Sequence, residues 1–395
     1  MENFNEYENP NFIQNLKNIF LKLYFYFKFD FYKIYKILET FNLLNPPYNL
    51  TKIYEILKDL ENKINNKLEI TKTDINISID KLKSKVKFFW EEDFLNYLIL
   101  NDYPIGLLFY NGDYNLLSKG YKKIAIVGSR KPETKTIKFI NSFFEKYKYL
   151  LKDFVIVSGL AVGVDALVHK LSIENNIKTI AVLGNGIFYY YPAINKELQL
   201  KISKSGLLLS EYPDNIKPQK YYFPYRNRII SLISDIVIVF QAAEKSGSIT
   251  TGKYAIEFGK ELIVPFLDFN SNFNGSKKLI NSGGKLVSTI EELANTIIDY
   301  FNLKNHYNLN NLNNLSEKNE LNELNEKDNI LENTIIDILK EYQELSITEI
   351  SQKLKEKLIN NKEIDLDITK IVFILSKLEL DGKLESKYGS IYKIS

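Results

Sequence analysis

The sequence has no cysteine, and only two of its 395 residues are histidines. The absence of cysteine excludes disulfides, thiolate zinc sites and thiol nucleophiles. His306 stands in an asparagine-rich segment, which leaves His169 as the one histidine placed to act as a catalytic base. These shortages give little support to catalysis, and the sequence predicts no catalytic residues, no metal ion and no other cofactor.

Arginine is almost as scarce, since only three of the 52 basic residues are arginines. They are Arg130, Arg226 and Arg228, and they fall in two short motifs, GSRKP and FPYRNR. In a chain that otherwise uses lysine, a retained arginine suggests a need for the planar guanidinium fork, which grips a phosphate or carboxylate and stacks on rings. The alternative is clustering by chance or for ion pairing.

Long apolar runs are absent too. No run of 18 uncharged apolar residues occurs, and the first residues lack a basic region followed by an apolar core. We therefore expect a cytoplasmic protein with no membrane contact. The formal charge of +3 is too small to indicate a polyanionic partner, so that argument depends on local clustering. The length and the 45% hydrophobic content predict two or three domains.

The apolar pattern divides the chain. Residues 1–98 carry apolar residues at helical spacing and predict a small helical domain. Residues 99–302 instead carry short continuous apolar runs separated by amphipathic stretches, which is typical of a buried parallel sheet covered by helices. These runs are KIAIVG, FVIVSG, TIAVLG, LLLSEY, DIVIVF and ELIVPF. The fold class is therefore α/β, with a Rossmann-like, doubly wound and mainly parallel sheet.

The last part of the chain predicts a second module. Residues 303–329 are rich in asparagine and predict a linker. Residues 330–395 show three helical patterns and then a hairpin around Tyr388-Gly389, which is the order of a winged helix. Ser346 and Glu349 have the spacing of a capping box at the start of the second helix. Such a module can enter a DNA groove or dock on a protein, and the sequence leaves both open.

Two candidate motifs follow predicted strands, at the edge where a doubly wound sheet binds its ligands. Gly128, Ser129 and Arg130 come directly after KIAIV, where exposed amides and one guanidinium can hold an anion. The segment SGSITT begins a predicted helix after DIVIVF. Its amides and hydroxyl groups suit a phosphate, and simple helix capping explains only one of the hydroxyls.

A third motif, KPQKYYFPYRNRII at 217–230, alternates basic residues with rings and contains no acidic residue. A single-stranded nucleic acid needs that combination, because cations contact its phosphates and rings stack on its unpaired bases. Lys220, Phe223, Arg226 and Arg228 are the main candidates. The alternative is a loop that packs its aromatic residues inward.

Catalytic and metal-binding alternatives rest on few residues. Asp165 and His169 stand four apart on one predicted helix and could begin a metal site, but no third ligand is visible, so a helix cap with a local pair is favoured. Glu211 and Glu257 are the best placed remaining carboxylates, and they are not obviously paired.

Six motifs in order resemble the DNA-processing protein A family (DprA, also called Smf). They are GSRKP, SGLAVGVDALVHK, TIAVLGNGIFYYYP, LLLSEYP, FPYRNRIIS and SGSITTGKYAIEFGK. The resemblance covers about residues 99–300. It implies a non-enzymatic, single-stranded DNA-binding protein that forms homodimers, protects incoming DNA and loads the RecA recombinase in natural transformation. It also implies a helical, SAM-like N-terminal domain.

The resemblance also implies the residues of the DNA site. They are Gly128, Ser129, Arg130, Lys220, Phe223, Arg226, Asn227, Arg228, Ser246, Gly247, Ser248 and Thr251. The chain departs from the family pattern at Gln241, Phe266 and Lys277.

Two other functions stay open at this point. One is a nucleotide-processing enzyme similar to the phosphoribohydrolases, with Glu257 as the candidate catalytic group. The other is a protein-interaction scaffold.

Overall fold

The computed structural model describes residues 9–46, 48–67, 82–92, 94, 98, 102–303, 331–357, 371, 374–375, 378, 383–387 and 391–394. The chain divides into two compact units, Met1–Leu303 (unit 1) and Lys304–Ser395 (unit 2). The expected linker at 303–329 lies outside the described residues, apart from Leu303.

Unit 1 is built around one sheet, in which nine strands of the described part are ordered β1-β2-β6-β5-β4-β3-β7-β8-β9. All neighbours from β6 to β9 are parallel, whereas β2 runs antiparallel to both β1 and β6. The strands are β1 Lys85–Phe88, β2 Leu107–Gly112, β3 Lys122–Gly128, β4 Phe154–Ser158, β5 Lys178–Leu183, β6 Leu207–Ser210, β7 Ile236–Phe240, β8 Glu261–Pro265 and β9 Lys285–Val287. The expected mainly parallel, Rossmann-like sheet is confirmed.

Helices connect and cover these strands. They are α1 Pro10–Tyr26, α2 Phe31–Thr40, α3 Leu50–Lys67, α4 Thr134–Lys146, α5 Lys148–Leu151, α6 Val164–Glu174, α7 Lys196–Ser205, α8 Tyr222–Leu232, α9 Ser248–Glu257, α10 Asn274–Asn281 and α11 Ile290–Tyr300. The central strands are buried along their whole length, as in Phe154–Ser158 and Ile236–Phe240. Each fully buried aliphatic or aromatic side chain contributes about 1.5–3 kcal/mol, so these continuous apolar runs determine the sheet.

The N-terminal helices pack on this sheet through aromatic residues. Asn9 begins α1 by accepting a hydrogen bond from the Asn11 N–H at 3.0 Å. Further along α1, the Phe20 ring lies 5.6 Å from Phe88 and 5.2 Å from Trp90. Strand β1 lies within the region where the sequence predicted only helices, and it pairs with β2. The predicted boundary at residue 98 stays a prediction.

Unit 2 contains a helix over 331–342 (α12), α13 Ile347–Lys357, and the strands β10 Glu344–Ser346, β11 Leu384–Lys387 and β12 Ile391–Ile394. Its sheet has the order β10-β12-β11 with antiparallel pairing. The Ser346 N–H donates to Glu349 at 2.8 Å and the Glu349 N–H donates to Ser346 Oγ at 3.4 Å, so the capping box is confirmed. The predicted turn at Tyr388-Gly389 and most of the predicted third helix lie outside the described residues.

Among the described residues, no helix combines the length and the apolar composition that crossing a bilayer requires.

Candidate nucleic-acid interface

In the sheet of unit 1, the direction in which successive strands are added reverses between β3 and β7. The chain adds β4, β5 and β6 on one side of β3 and then adds β7, β8 and β9 on the other. The loops after β3 and β7 therefore diverge, which opens a crevice at the carboxyl ends of these strands. Here the crevice is a groove of about 830 Å³.

The loop after β3 is fixed by its own backbone. The Ser129 N–H donates to the Phe240 carbonyl oxygen at the end of β7 (3.1 Å), and the Ser129 carbonyl accepts from the Val164 N–H of α6 (3.1 Å). Gly128 has no room for a side chain, because a β-carbon would overlap the Phe240 carbonyl oxygen. This packing sets the position from which Arg130 enters the groove.

Arg130 faces an aromatic wall. Its guanidinium carbon lies 5.9 Å from the centre of the Phe223 ring, which lies 5.5 Å from the Tyr191 ring. Arg130 forms no ion pair with a described residue. A guanidinium beside a ring can contact a phosphate and a base of the same nucleotide.

Three lysines add to the positive charge of the groove. Lys131, Lys220 and Lys245 line it, and within the described part of the chain none of them pairs with a carboxylate. Lysines elsewhere do pair, as Lys146 does with Glu291 at 3.0 Å. The groove therefore carries positive charge that the carboxylates of the described residues do not balance.

Asp165 is the one acidic residue among those that line the groove. Its carboxylate accepts from the Gly159 N–H at 3.2 Å. Burial raises the pKa of Asp165 to about 6, although Arg226 and the amides of Ala161, Gly159 and Gly128 act to lower it. The sequence predicted that the amides of Gly128 and Ser129 hold an external anion. In the structure the Gly128 amide interacts with the Asp165 carboxylate, and the Ser129 amide donates to the Phe240 carbonyl oxygen. This prediction is therefore wrong.

Arg226 lies at the floor of the groove and is only 4% exposed. One of its terminal nitrogens donates to the Gly159 carbonyl at 2.9 Å and also to the Val182 carbonyl, at the ends of β4 and β5. Its Nε donates to Asn227 Oδ1 at 3.1 Å. Burial lowers the pKa of Arg226 to about 10, while Asp165 acts to raise it. Arg226 thus anchors α8 to the strand ends and keeps a positive charge beneath the groove.

Arg228 has a different role from the predicted one. It is fully buried, and it donates through both terminal nitrogens to the two Glu211 oxygens at 2.6 Å. Burial acts to lower the pKa of Arg228, but Glu211, Tyr225 and Tyr24 together outweigh that effect and the pKa is raised. Because α8 begins at Tyr222, Arg226 and Arg228 stand two apart on a helix and face different directions. Arg228 therefore does not line the groove.

The loop before α9 forms another part of the groove wall. Ser246 Oγ and Ser248 Oγ lie 2.7 Å apart, and the Asn227 amide donates to the Gly247 carbonyl at 3.1 Å. Thr251 lines the same wall, and its carbonyl accepts from Ser231 Oγ of α8 at 2.9 Å. These contacts fix the hydroxyl-bearing residues in the lining of the groove that also contains Arg130.

The structure therefore brings together eleven of the twelve predicted residues and separates Arg228 from them. The eleven that line the groove are Gly128, Ser129, Arg130, Lys220, Phe223, Arg226, Asn227, Ser246, Gly247, Ser248 and Thr251. Sequence reasoning did not select Lys131, Lys245 or Tyr191. Each lies within or directly beside one of the six sequence motifs, and that position is the sequence feature that could have identified it as a site residue.

The other candidate groups lie elsewhere. His169 is buried and contacts Thr179 Oγ1 through Nδ1 at 2.7 Å, so the favoured local pair with Asp165 is not formed. Burial lowers the pKa of His169 to about 3, which keeps the ring neutral. No cluster of three or more potential metal ligands occurs among the residues that the structure describes. Glu257 contacts Tyr103 rather than the groove.

The sequence model of the DNA recombination-mediator protein A family matches residues 85–298, which is more than half of the chain. The chain belongs to this family. The match confirms the resemblance that the six motifs indicated.

Two relatives are informative. The chain is 43% identical to the DNA processing protein DprA of Bacillus subtilis over 191 residues, which is 48% of this chain and 63% of that protein. It is 39% identical to the DprA of Streptococcus pneumoniae over 193 residues, which is 49% of this chain and 66% of that protein. The chain thus spans less than two thirds of the length of these relatives.

Two solved structures are also similar. The X-ray structure of the Streptococcus pneumoniae protein has a TM-score of 0.49 and 31% identity, and covers 62% of this chain and 81% of that one. The other is DNA processing protein A from Helicobacter pylori, described with a single-stranded DNA binding mode. Its TM-score is 0.49 and its identity 28%, and it covers 55% of this chain and 97% of that one.

Proposed function

We propose that the groove binds single-stranded DNA. The observation that carries the proposal is the combination of unbalanced cations with ring faces in one groove. Arg130, Lys131, Lys220 and Lys245 supply the charge, and Phe223 supplies the face beside Arg130. Cations contact the phosphates of any sequence, and a ring accepts any unpaired base, so we expect binding without base identity.

The aromatic wall favours a single strand over a duplex. In a duplex the bases are stacked on one another and their faces are closed, whereas a single strand can place a base on a ring for about 1–3 kcal/mol. Tyr221 precedes α8 and is 64% exposed, so a further ring face stands close to Phe223 in the sequence. We propose that the groove binds rather than catalyses, because Asp165 is the one carboxylate among the described residues that line it, and backbone amides already contact that carboxylate.

The wider role follows from family membership. We propose that the protein acts in DNA processing for recombination, protects incoming single strands in natural transformation and loads RecA. We further propose that it works as a homodimer in the cytoplasm. Unit 2 is proposed to be a winged helix, which is supported by its capped helix α13 and its antiparallel sheet.

Fluorescence anisotropy of a labelled oligothymidine, against a duplex of equal length at several salt concentrations, tests the proposal. We expect the single strand to bind more tightly, with log affinity falling by about 3 per unit of log salt if four cations each neutralise one phosphate. Arg130→Lys should weaken binding roughly tenfold and keep this slope, because it removes the fork and keeps the charge.

Lys131→Gln is the matched variant, since it keeps the fork and removes a charge. It should reduce the salt slope by about 0.7. Equal affinity for the single strand and the duplex would overturn the proposal.

A further inference from the structure

Helix α8 supplies the Phe223 ring of the groove, and its first turn has little support of its own. Phe223 is the second residue of the helix, which begins at Tyr222 without a side chain that caps it. Pro224 follows, and proline has no N–H to donate. The position of the Phe223 ring therefore depends on what packs against this turn.

The residues of this turn face different surroundings. Phe223 and Arg226 line the groove, whereas Tyr222 is buried away from it and is only 6% exposed. Tyr222 stacks on Tyr212, which follows β6, with 4.0 Å between the ring centres and 24° between the ring planes. Because Tyr222 and Phe223 are adjacent in the helix, contacts that fix the Tyr222 ring also fix the direction in which Phe223 leaves the helix.

The N-terminal helices reach this ring pair through Phe29, in the turn between α1 and α2. The Phe29 ring lies 5.7 Å from the Tyr212 ring at 88° and 6.4 Å from the Tyr222 ring at 76°. These edge-to-face arrangements are among those that aromatic pairs prefer. Phe29, Tyr212 and Tyr222 thus form a three-ring cluster that joins the N-terminal helices to the first turn of α8.

The backbone at Phe29 is unusual. Lys28 and Phe29 have φ values of 55° and 67°, in the left-handed region that bulky side chains rarely adopt. The Phe29 N–H donates to the Tyr24 carbonyl at 2.9 Å, which closes the turn. Glycine would adopt this conformation without strain, so a phenylalanine at this position points to a use for its ring.

Tyr24 makes a second connection from the end of α1. It is 1% exposed, and its ring lies 5.7 Å from the Phe29 ring. Burial raises the pKa of Tyr24, and the nearby Glu211 carboxylate raises it further. The end of α1 therefore also lies close to the ion pair between Arg228 and Glu211, which holds the middle of α8.

We propose that Phe29 is a positioning residue for the DNA groove. It holds the Tyr212 and Tyr222 rings, which fixes the first turn of α8 and presents the Phe223 ring beside Arg130 for a base to stack on. Phe29 is not among the described residues that line the groove. Its role therefore rests on the proposed function, in which a single strand stacks on Phe223.

The competing explanation is that Phe29 only adds to the apolar core of unit 1. Its removal would then lower stability without a specific effect on the groove, as the removal of any buried residue of the N-terminal helices would. Leu38 of α2 is the matched residue for this comparison, because it is fully buried and lies outside the three-ring cluster.

Anisotropy of labelled oligothymidine at low salt tests the proposal. Phe29→Ala should lower the affinity about three- to tenfold and leave the salt slope unchanged, because it loosens the first turn of α8 and removes no charge. Phe29→Tyr keeps the ring and should bind as the wild type does. Leu38→Ala should lower the urea midpoint of unfolding and leave the affinity unchanged.

A double-mutant cycle separates positioning from stability. Phe223→Ala alone should weaken binding, and adding Phe29→Ala should have no further effect, because the ring that Phe29 positions is gone. Phe29→Leu replaces Phe29→Ala in the cycle if the alanine variant does not fold, since leucine keeps apolar volume and lacks the ring edge. It should show a smaller loss with the same dependence on Phe223.

Hydrogen exchange of the free protein gives a readout that needs no DNA. In Phe29→Ala, or in Phe29→Leu if that variant is used, the amides of α8 should exchange faster, while those of α4 keep the wild-type rate. If the wild type does not prefer the single strand, the proposed function fails, and the exchange of α8 still decides whether Phe29 holds that turn.

Wild-type affinity in a folded Phe29→Ala variant would overturn the inference. An equal loss of affinity with and without the Phe223 ring would also overturn it, since Phe29 would then act on another part of the groove. Faster exchange spread evenly over unit 1 would decide in favour of the competing explanation.

Discussion

The guanidinium groups of the three arginines contact different partners. Arg130 faces a ring and pairs with no described carboxylate, Arg226 donates to backbone carbonyls, and Arg228 pairs with Glu211. All three uses need several donors held in one plane, which lysine cannot supply. The scarcity of arginine thus identified positions with a chemical need, but it did not show that Arg228 lies away from the groove that Arg130 and Arg226 line.

Asp165 gives a prediction about pH. Its folded-state pKa of about 6 lies above the ordinary value, so the carboxylate is charged above about pH 6 and takes up a proton as the pH falls through that value. The groove then gains one unit of net positive charge. Lowering the pH from 7.5 to 5.5 should raise the oligothymidine affinity about three- to tenfold, which equals about 0.7–1.4 kcal/mol.

Anisotropy at constant ionic strength measures this effect. The other nearby titratable ring, His169, stays neutral across the range because its pKa is about 3. Asp165→Asn should bind more tightly than the wild type at pH 7.5 and should show no pH dependence. The same increase in Asp165→Asn as in the wild type would assign the effect to another group.

At the scale of helices and strands, the ion pair between Arg228 and Glu211 joins α8 to the segment after β6. Removing one partner from a buried pair leaves the other charge unpaired, so we expect Arg228→Met to lower the free energy of unfolding by about 3–5 kcal/mol. Glu211→Leu should cost a similar amount. The double variant should cost much less than the sum, because no isolated charge remains.

Urea unfolding followed by tryptophan fluorescence measures these differences. The one tryptophan, Trp90, is buried in unit 1 and so reports on that unit. Lys146→Met is the matched control, since it breaks the surface pair with Glu291 and should cost below about 1 kcal/mol. Additive losses in the double variant would show that the two side chains stabilise the fold independently.

The sequence predicted the central strands because a buried parallel strand needs a continuous apolar run, and few other structures produce one. It missed β1, since KVKF at 85–88 is short and alternates charged with apolar residues beside a helical pattern. For 217–230 it left two readings open, a basic and aromatic surface or a loop that packs its rings inward. Helix α8 begins within that segment, so Tyr222 packs against Tyr212 at 4.0 Å while Phe223 faces the groove.

The residues that line the groove were largely predictable from the sequence. The hydrogen bonds and ion pairs among them were not. Residues that follow parallel strands share one edge of the sheet whatever their separation in the chain, which is why the motifs after β3 and β7 meet. The partners of individual groups depend on distances of a few ångströms between distant segments. The hydrogen bond from the Ser129 N–H to Phe240, 111 positions away, has no local signature in the sequence.

At the scale of the whole molecule, every residue that lines the groove lies in unit 1. Unit 1 has its own apolar core, and unit 2 has a separate one, with Leu331, Ile338 and Leu354 among its members. A truncated chain that ends at Leu303 should therefore fold and should bind oligothymidine within about threefold of the full chain, with the same salt slope. Anisotropy on the two chains measures this.

The truncated chain should also reproduce the effect of Arg130→Lys, because that residue and its partner Phe223 remain in place. A smaller salt slope in the truncated chain, with the Arg130→Lys effect retained, would mean that unit 2 adds phosphate contacts to a site that unit 1 already forms. Complete loss of binding in a truncated chain that still unfolds cooperatively by Trp90 fluorescence would instead place the DNA site in unit 2. The groove would then need another ligand to explain its unbalanced charge.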